Sequence, residues 1–142
     1  MRIALCEDDS VQADMFVRLL DKTADKLGIK AETDVYNCAE DMKEELNDKN
    51  ISYDVYFLDI ELGNDNGDEL ARYIKGYDIN SVIIFTTCHT DFMSAAFDVH
   101  AFNYIVKPVT EDKVDKIVTQ LEQIMYAAEE KLVFSYNRQT MS

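Results

Sequence analysis

The sequence predicts an α/β domain with a mainly parallel sheet covered by helices on both faces. Short apolar runs recur five times along the chain, and stretches with helical spacing separate them. The first, third and fourth runs are apolar continuously and not at alternate positions, as expected of strands buried on both faces.

Taken in order, the runs are Ile3 to Cys6, Ala31 to Tyr36, Val55 to Leu58, Val82 to Phe85 and Tyr104 to Val106. In the first helical stretch Val11, Met15, Leu19 and Leu20 return at helical intervals. Asn37 and Glu40 have the spacing of a capping box at the start of the second. Leu70, Tyr73 and Ile74 mark the third, and Gly28 and Gly76 stand where helices close. Thr110, followed by Glu111 and Asp112, opens the last helix, expected over roughly Glu111 to Glu130 with Val114, Ile117, Val118, Leu121, Ile124 and Met125 on one face. The pattern is (βα)5. Beyond it, Lys131 to Tyr136 has strand-like composition but no partner to pair with, so residues 129–142 read as a linker or the start of a further domain.

With 142 residues, 47% of them apolar, the chain has the size of one domain with one core. Its 28 acidic and 14 basic residues give a net charge of −14, which repels polyanions and argues against nucleic-acid binding by this part of the protein. All 28 acids and 12 of the basic residues precede residue 131, so that stretch carries −16 and the tail is basic. No apolar run approaches the roughly 18 residues that span a bilayer, and the N-terminus lacks a signal peptide's apolar core, so the expected location is the cytoplasm. Cys6, Cys38 and Cys88 form no C-x-x-C pair and read as free thiols; His89 and His100 have no partner at metal-ligand spacing.

In such a sheet ligands bind beyond the carboxyl ends of the strands. There the first strand leads into Glu7-Asp8-Asp9, the third into Asp59-Ile60-Glu61, the fourth into Thr86-Thr87 and the fifth into Lys107-Pro108. An acidic triplet on its own is commonly a solvated helix start. Asp59 differs, because it directly follows the buried run Val55 to Leu58, where a charge is costly without a purpose. Carboxylates brought together from neighbouring strands need a cation, and an all-oxygen set without His or Cys suits magnesium. Magnesium would make Asp59 a plausible nucleophile toward phosphorus, with Lys107 and Thr87 as further contacts for phosphoryl oxygens.

These residues are the ones by which the chain resembles the response-regulator receiver family over roughly residues 1–128. The motifs are Ile3-Ala-Leu-Cys-Glu-Asp-Asp9, Tyr53-Asp-Val-Tyr-Phe-Leu-Asp59-Ile-Glu-Leu through Gly67, Ile83-Ile-Phe-Thr-Thr87 and Tyr104-Ile-Val-Lys-Pro108. The resemblance implies a flavodoxin-like doubly wound sheet of five strands in the order 2-1-3-4-5. It implies phosphorylation of Asp59 by a sensor histidine kinase or small phosphodonor. It further implies magnesium held by Asp8, Asp59 and the Glu61 main-chain carbonyl, with Glu7 acting through a water; Asp9 leaves the acidic register open by one residue. Thr87 and Lys107 would contact the phosphoryl group, and the Lys107–Pro108 peptide is expected to be cis. Thr87 and Tyr104 would switch together, remodelling the surface of the fourth helix, fifth strand and fifth helix and allowing a homodimer on phosphorylation. The stretch Asp91 to Pro108 is similar to the Agr/LytR branch, whose receivers precede a LytTR DNA-binding domain; DNA would be met only through that domain. Where the family usually has proline after Asp59, this chain has Gly63, and the following loop is expected to be looser.

Two other functions compete. A haloacid-dehalogenase-like phosphohydrolase also uses a strand-tip aspartate, but its Asp-x-Asp pattern is broken here by Glu61, and the chain has no room for a cap domain. A receiver-like interaction module that is never phosphorylated would be expected to have lost part of the acid, Asp59, Thr87 and Lys107 set, all of which is present. The expectation is therefore a protein that catalyses only its own phosphorylation and dephosphorylation, and not an enzyme acting on other substrates.

Overall fold

A computed structural model describes residues 1–62, 65–88 and 98–141, with side chains described up to Tyr126 except at 65 and 66. The described elements are β1 (Arg2–Cys6), α1 (Ser10–Leu27), β2 (Glu32–Tyr36), α2 (Ala39–Lys49), β3 (Val55–Asp59), β4 (Glu61–Leu62), β5 (Asp65–Asn66), α3 (Gly67–Tyr77), β6 (Ile83–Thr87), β7 (Asn103–Val106) and α4 (Glu111–Met141). Five strands pair in parallel in the order β2-β1-β3-β6-β7, the expected flavodoxin-like arrangement. Every residue of β3 and β6 is buried, which is why their sequences are apolar without alternation. Alternate side chains feed two cores. Tyr56, Leu58, Ile83 and Phe85 face α2 and α3, while Val55, Phe57 and Ile84 face α1 and α4.

Several local expectations are corrected. In α1 the stripe of Val11 and Met15 is exposed, at 66% and 56%, and the buried face is Ala13, Phe16, Leu20, Thr23 and Ala24. Two overlapping helical stripes compete there, and the one carrying Phe16 wins because its ring packs on Phe57 at 5.0 Å while the alanines let the helix lie close. The capping box at Asn37 does not form: Cys38 is the N-cap of α2 and makes no side-chain cap hydrogen bond. Gly28 closes α1 in the left-handed region (φ 70°), but Gly76 lies within the last turn of α3. After Asp59, Glu61 and Leu62 pair antiparallel with Asn66 and Asp65 as β4–β5, while Gly63 and Asn64, on which the expectation of a looser loop rests, lie outside the described residues.

The tail is helical, not strand-like. With no Gly or Pro between Glu111 and Met141, nothing interrupts the backbone ladder of α4. Of the aromatic residues near the fifth strand, Phe102 packs partly against the α1–α4 core, whereas Phe92, Phe97 and His89 lie outside the described residues. No described helix is long and apolar enough to cross a membrane.

Candidate functional site

Strand register brings the site together. Cys6 pairs with Leu58, Asp59 with Thr86, and Thr87 with Val106, so the carboxyl ends of β1, β3, β6 and β7 finish nearly level. Glu7 is held at the end of β1 because its N–H donates to Tyr36 O at 3.0 Å. Asp59 ends β3 and is 3% exposed.

Lys107, just past β7, joins them: its Nζ donates to Glu7 Oε1 at 3.0 Å and Asp59 Oδ2 at 2.9 Å. The other Asp59 oxygen, Oδ1, accepts from Glu61 N–H at 3.0 Å. Glu7, Asp8 and Asp59 offer ligand oxygens within 4.8 Å of one another, with Asp8 exposed at the mouth. Asp9 is not part of this group; its carboxylate caps α1 by accepting from Val11 N–H and Gln12 N–H.

The electrostatics are unequal across the pair. Burial, reinforced by the neighbouring Asp59 carboxylate, pushes the Glu7 carboxyl up to about 8 despite the Lys107 contact. Burial alone would lower the Lys107 pKa, but its bonds to Asp59 and Glu7 outweigh that and raise it. Among the described residues one cation, Lys107, therefore serves two buried carboxylates, and burial leaves Glu7 short of positive charge. Its Oε2 is buried with no hydrogen-bond partner among the described residues. An all-oxygen set with an orphaned buried carboxylate oxygen fits a hard divalent cation such as magnesium.

Thr87 is buried at the tip of β6, and its carbonyl accepts from Lys107 N–H at 2.7 Å. Thr86, opposite Asp59, lines a cavity of about 440 Å³ together with Leu5, Glu7, Phe16 and Lys107. The exposed Met15 lies at the same cavity. Tyr104 is half-buried beside Phe85, and the Lys107–Pro108 peptide is cis as expected.

One feature of the site escaped sequence reading. Gly67 opens α3 directly against Asp59, where an added Cβ would stand 2.2 Å from the Asp59 carbonyl oxygen and 2.8 Å from Ile60 Cα. The Gly67 N–H also donates to Ile60 O at 2.9 Å, so this approach fixes the backbone carrying the carboxylate. Its only signal in the sequence is a glycine eight positions after Asp59.

The family model for the response regulator receiver domain matches residues 3–119. The chain belongs to that family. Among curated relatives, the sensory transduction protein LytT of Bacillus anthracis is 35% identical over 114 residues, covering 80% of this chain and 44% of LytT. LytT of Bacillus subtilis strain 168 is 26% identical over 145 residues, covering 95% of this chain and 58% of that protein. The chain thus spans about half the length of the curated relatives it matches. The crystal structure of the response regulatory domain of protein mrkE from Klebsiella pneumoniae superposes with a TM-score of 0.71 at 25% identity, covering 87% of this chain and 99% of that one. The receiver is of the kind found in LytT and LytR regulators, in agreement with the branch read from Asp91 to Pro108.

Proposed function

We propose that this receiver takes a phosphoryl group on Asp59 from a sensor histidine kinase, or from a small acyl phosphate. The observation that carries the reading is the buried Asp59 carboxylate at a strand tip, held by Lys107 on one oxygen and the Glu61 N–H on the other. An Asp59 oxygen forms the new bond to phosphorus as the bond to the donor's imidazole nitrogen or acyl oxygen breaks. Lys107 and the Thr87 hydroxyl are the contacts for the incoming phosphoryl oxygens.

Asp8, Asp59 and the Glu61 main-chain carbonyl would hold magnesium, with Glu7 acting through a water. When bound, the metal supplies positive charge against the repulsion between carboxylate and phosphoryl oxygens. The protein catalyses only its own phosphorylation and dephosphorylation.

Phosphorylation adds about −1.5 to −2 charge at the strand tips and draws Thr87 toward it. Tyr104, on the neighbouring strand, follows by changing rotamer, which alters the surface of the fourth expected helix, outside the described residues, together with β7 and α4, and favours a homodimer. Residues 1–128 form the receiver and 129–142 lead toward a LytTR-like DNA-binding domain that gives transcriptional output in the cytoplasm. Exposed Met15 at the cavity gives a phosphodonor protein apolar surface to cover.

The test is intact-protein mass after incubation with acetyl phosphate and magnesium. The expected result is a gain of one phosphoryl group, about 80 Da, lost with chelator and in Asp59→Asn. No gain under any condition would overturn the reading in favour of a pure interaction module, and catalytic phosphate release without accumulation would favour a hydrolase.

A further inference from the structure

The turn that carries Lys107 is gripped by a second ammonium group. Lys107 N–H donates to Thr87 O, while the carbonyls on either side of Lys107 both accept from Lys113 Nζ: Val106 O at 2.7 Å and Pro108 O at 3.0 Å. These carbonyls lie at and just past the end of β7, where no ladder partner is available to them among the described residues.

Lys113 stands in an unfavourable place for a cation. It is the third residue of α4, in the turn where free N–H groups concentrate positive charge and where Glu111 and Asp112 match the helix dipole. The two carbonyls it collects offset that field, so its contacts serve the turn and not the helix. Lys107, for its part, is a point charge on a flexible four-carbon stem, and its aim depends on how firmly its root is held.

We propose that Lys113 is a positioning residue for phosphoryl transfer: by bridging Val106 O and Pro108 O it fixes the Lys107 backbone and keeps the Lys107 ammonium on Asp59. This rests on the phosphoacceptor reading, through the role given there to Lys107. Without the bridge, water solvates both carbonyls, the turn shifts, and Lys107 reaches Asp59 in a smaller fraction of molecules. A displacement of about 1 Å at a reacting group is enough to slow chemistry substantially.

Time courses of phosphoryl gain, read by intact mass with acetyl phosphate and magnesium, test this on the whole chain. Lys113→Met is expected to slow the gain at saturating donor by roughly tenfold, with little change in the half-saturating concentration. Lys113→Arg should recover most of the rate, and Lys113→Met added to Lys107→Met should slow it no further than Lys107→Met alone. A wild-type rate in Lys113→Met overturns the proposal, and so does equal slowing with and without Lys107, which would mean a general loss of structure. Should a thermal melt show Lys113→Met unfolded, Lys113→Gln, which keeps a donor for one carbonyl, takes its place in the same cycle, and a wild-type rate or slowing independent of Lys107 again overturns the proposal. Wild type that gains no phosphoryl group overturns the phosphoacceptor reading itself; a wild-type gain indifferent to Lys113 overturns only the positioning role.

Discussion

The domain carries two acidic clusters on either side of Tyr36, and they behave oppositely. At the strand tips Glu7 and Asp59 are buried, share one lysine, and leave a Glu7 oxygen without a partner among the described residues. Along α2, Asp41, Glu44, Glu45 and Asp48 line an open groove with Lys49. There Glu45 and Lys49 form an exposed i,i+4 pair at 2.6 Å; the lysine contact holds the Glu45 carboxyl below its ordinary range, and Lys49 is raised in turn. The α2 groove has more acids, yet water and nearby lysine satisfy them. What makes a site is not the number of carboxylates but how far the fold has removed them from water without supplying enough positive charge.

Removing each lysine in turn puts this contrast under the greatest strain. Lys107→Met leaves two buried carboxylates without their cation and should destabilise the metal-free protein by about 2–4 kcal/mol at pH 8, less at pH 6, where Glu7 takes up a proton. Lys49→Met should leave the urea midpoint unchanged. Equal losses in both variants would mean that the buried pair is not under the stress described. Gly67→Ala comes next: its Cβ meets the Asp59 carbonyl at 2.2 Å, so either the start of α3 or the Asp59 backbone must move. The expected cost is about 2 kcal/mol, accompanied by slower phosphoryl gain. A variant with wild-type stability and rate would show that the backbone there yields freely.

The pH dependence follows from Glu7. Its carboxyl binds a proton more tightly in the folded state, at about 8, than its ordinary value of 4.5. Between those values the native state holds more protons than the unfolded one, so metal-free stability falls as pH rises through that window and levels off above it. Glu7→Gln removes this slope. In chelator it should match wild type near pH 5 and exceed it by about 1–3 kcal/mol near pH 8, as read by urea midpoints. Magnesium at about a hundred times its Kd should add roughly 2.7 kcal/mol to wild type, and less to Asp8→Asn at the same concentration.

The strand tips were legible in the sequence because continuous apolar runs end abruptly in acids, Thr87 or Lys107, and burial on both faces leaves little freedom in where such strands begin and stop. The facing of α1 was not, since stripes through Val11 and through Phe16 have the same period and only the packing partner Phe57 decides between them. Nor was the β4–β5 pairing, whose two-residue segments are too short to carry an alternating pattern. The roles of Gly67 and Lys113 rest on contacts with residues eight and five to seven positions away, and no periodicity records contacts of that kind.

The smallest expected effect tests whether the two clusters are independent. One route connects them: the Tyr36 carbonyl accepts from Glu7 N–H, while its hydroxyl, buried at the other end of the side chain, pairs with Tyr53 at 2.6 Å beside the Glu45 carboxylate. Tyr53 in turn donates to Asp34 at 2.7 Å, so the Tyr36 ring stays anchored when Glu45 is altered. Glu45→Gln should therefore leave both magnesium affinity and the rate of phosphoryl gain within error of wild type, as should Asp48→Asn, which lines the same groove. Were Glu45→Gln to weaken magnesium binding while Asp48→Asn did not, the loss could not come from the groove's charge, which both variants reduce equally. It would have to pass through the Tyr36 ring to the peptide that holds Glu7, making the exposed cluster part of the buried site's support.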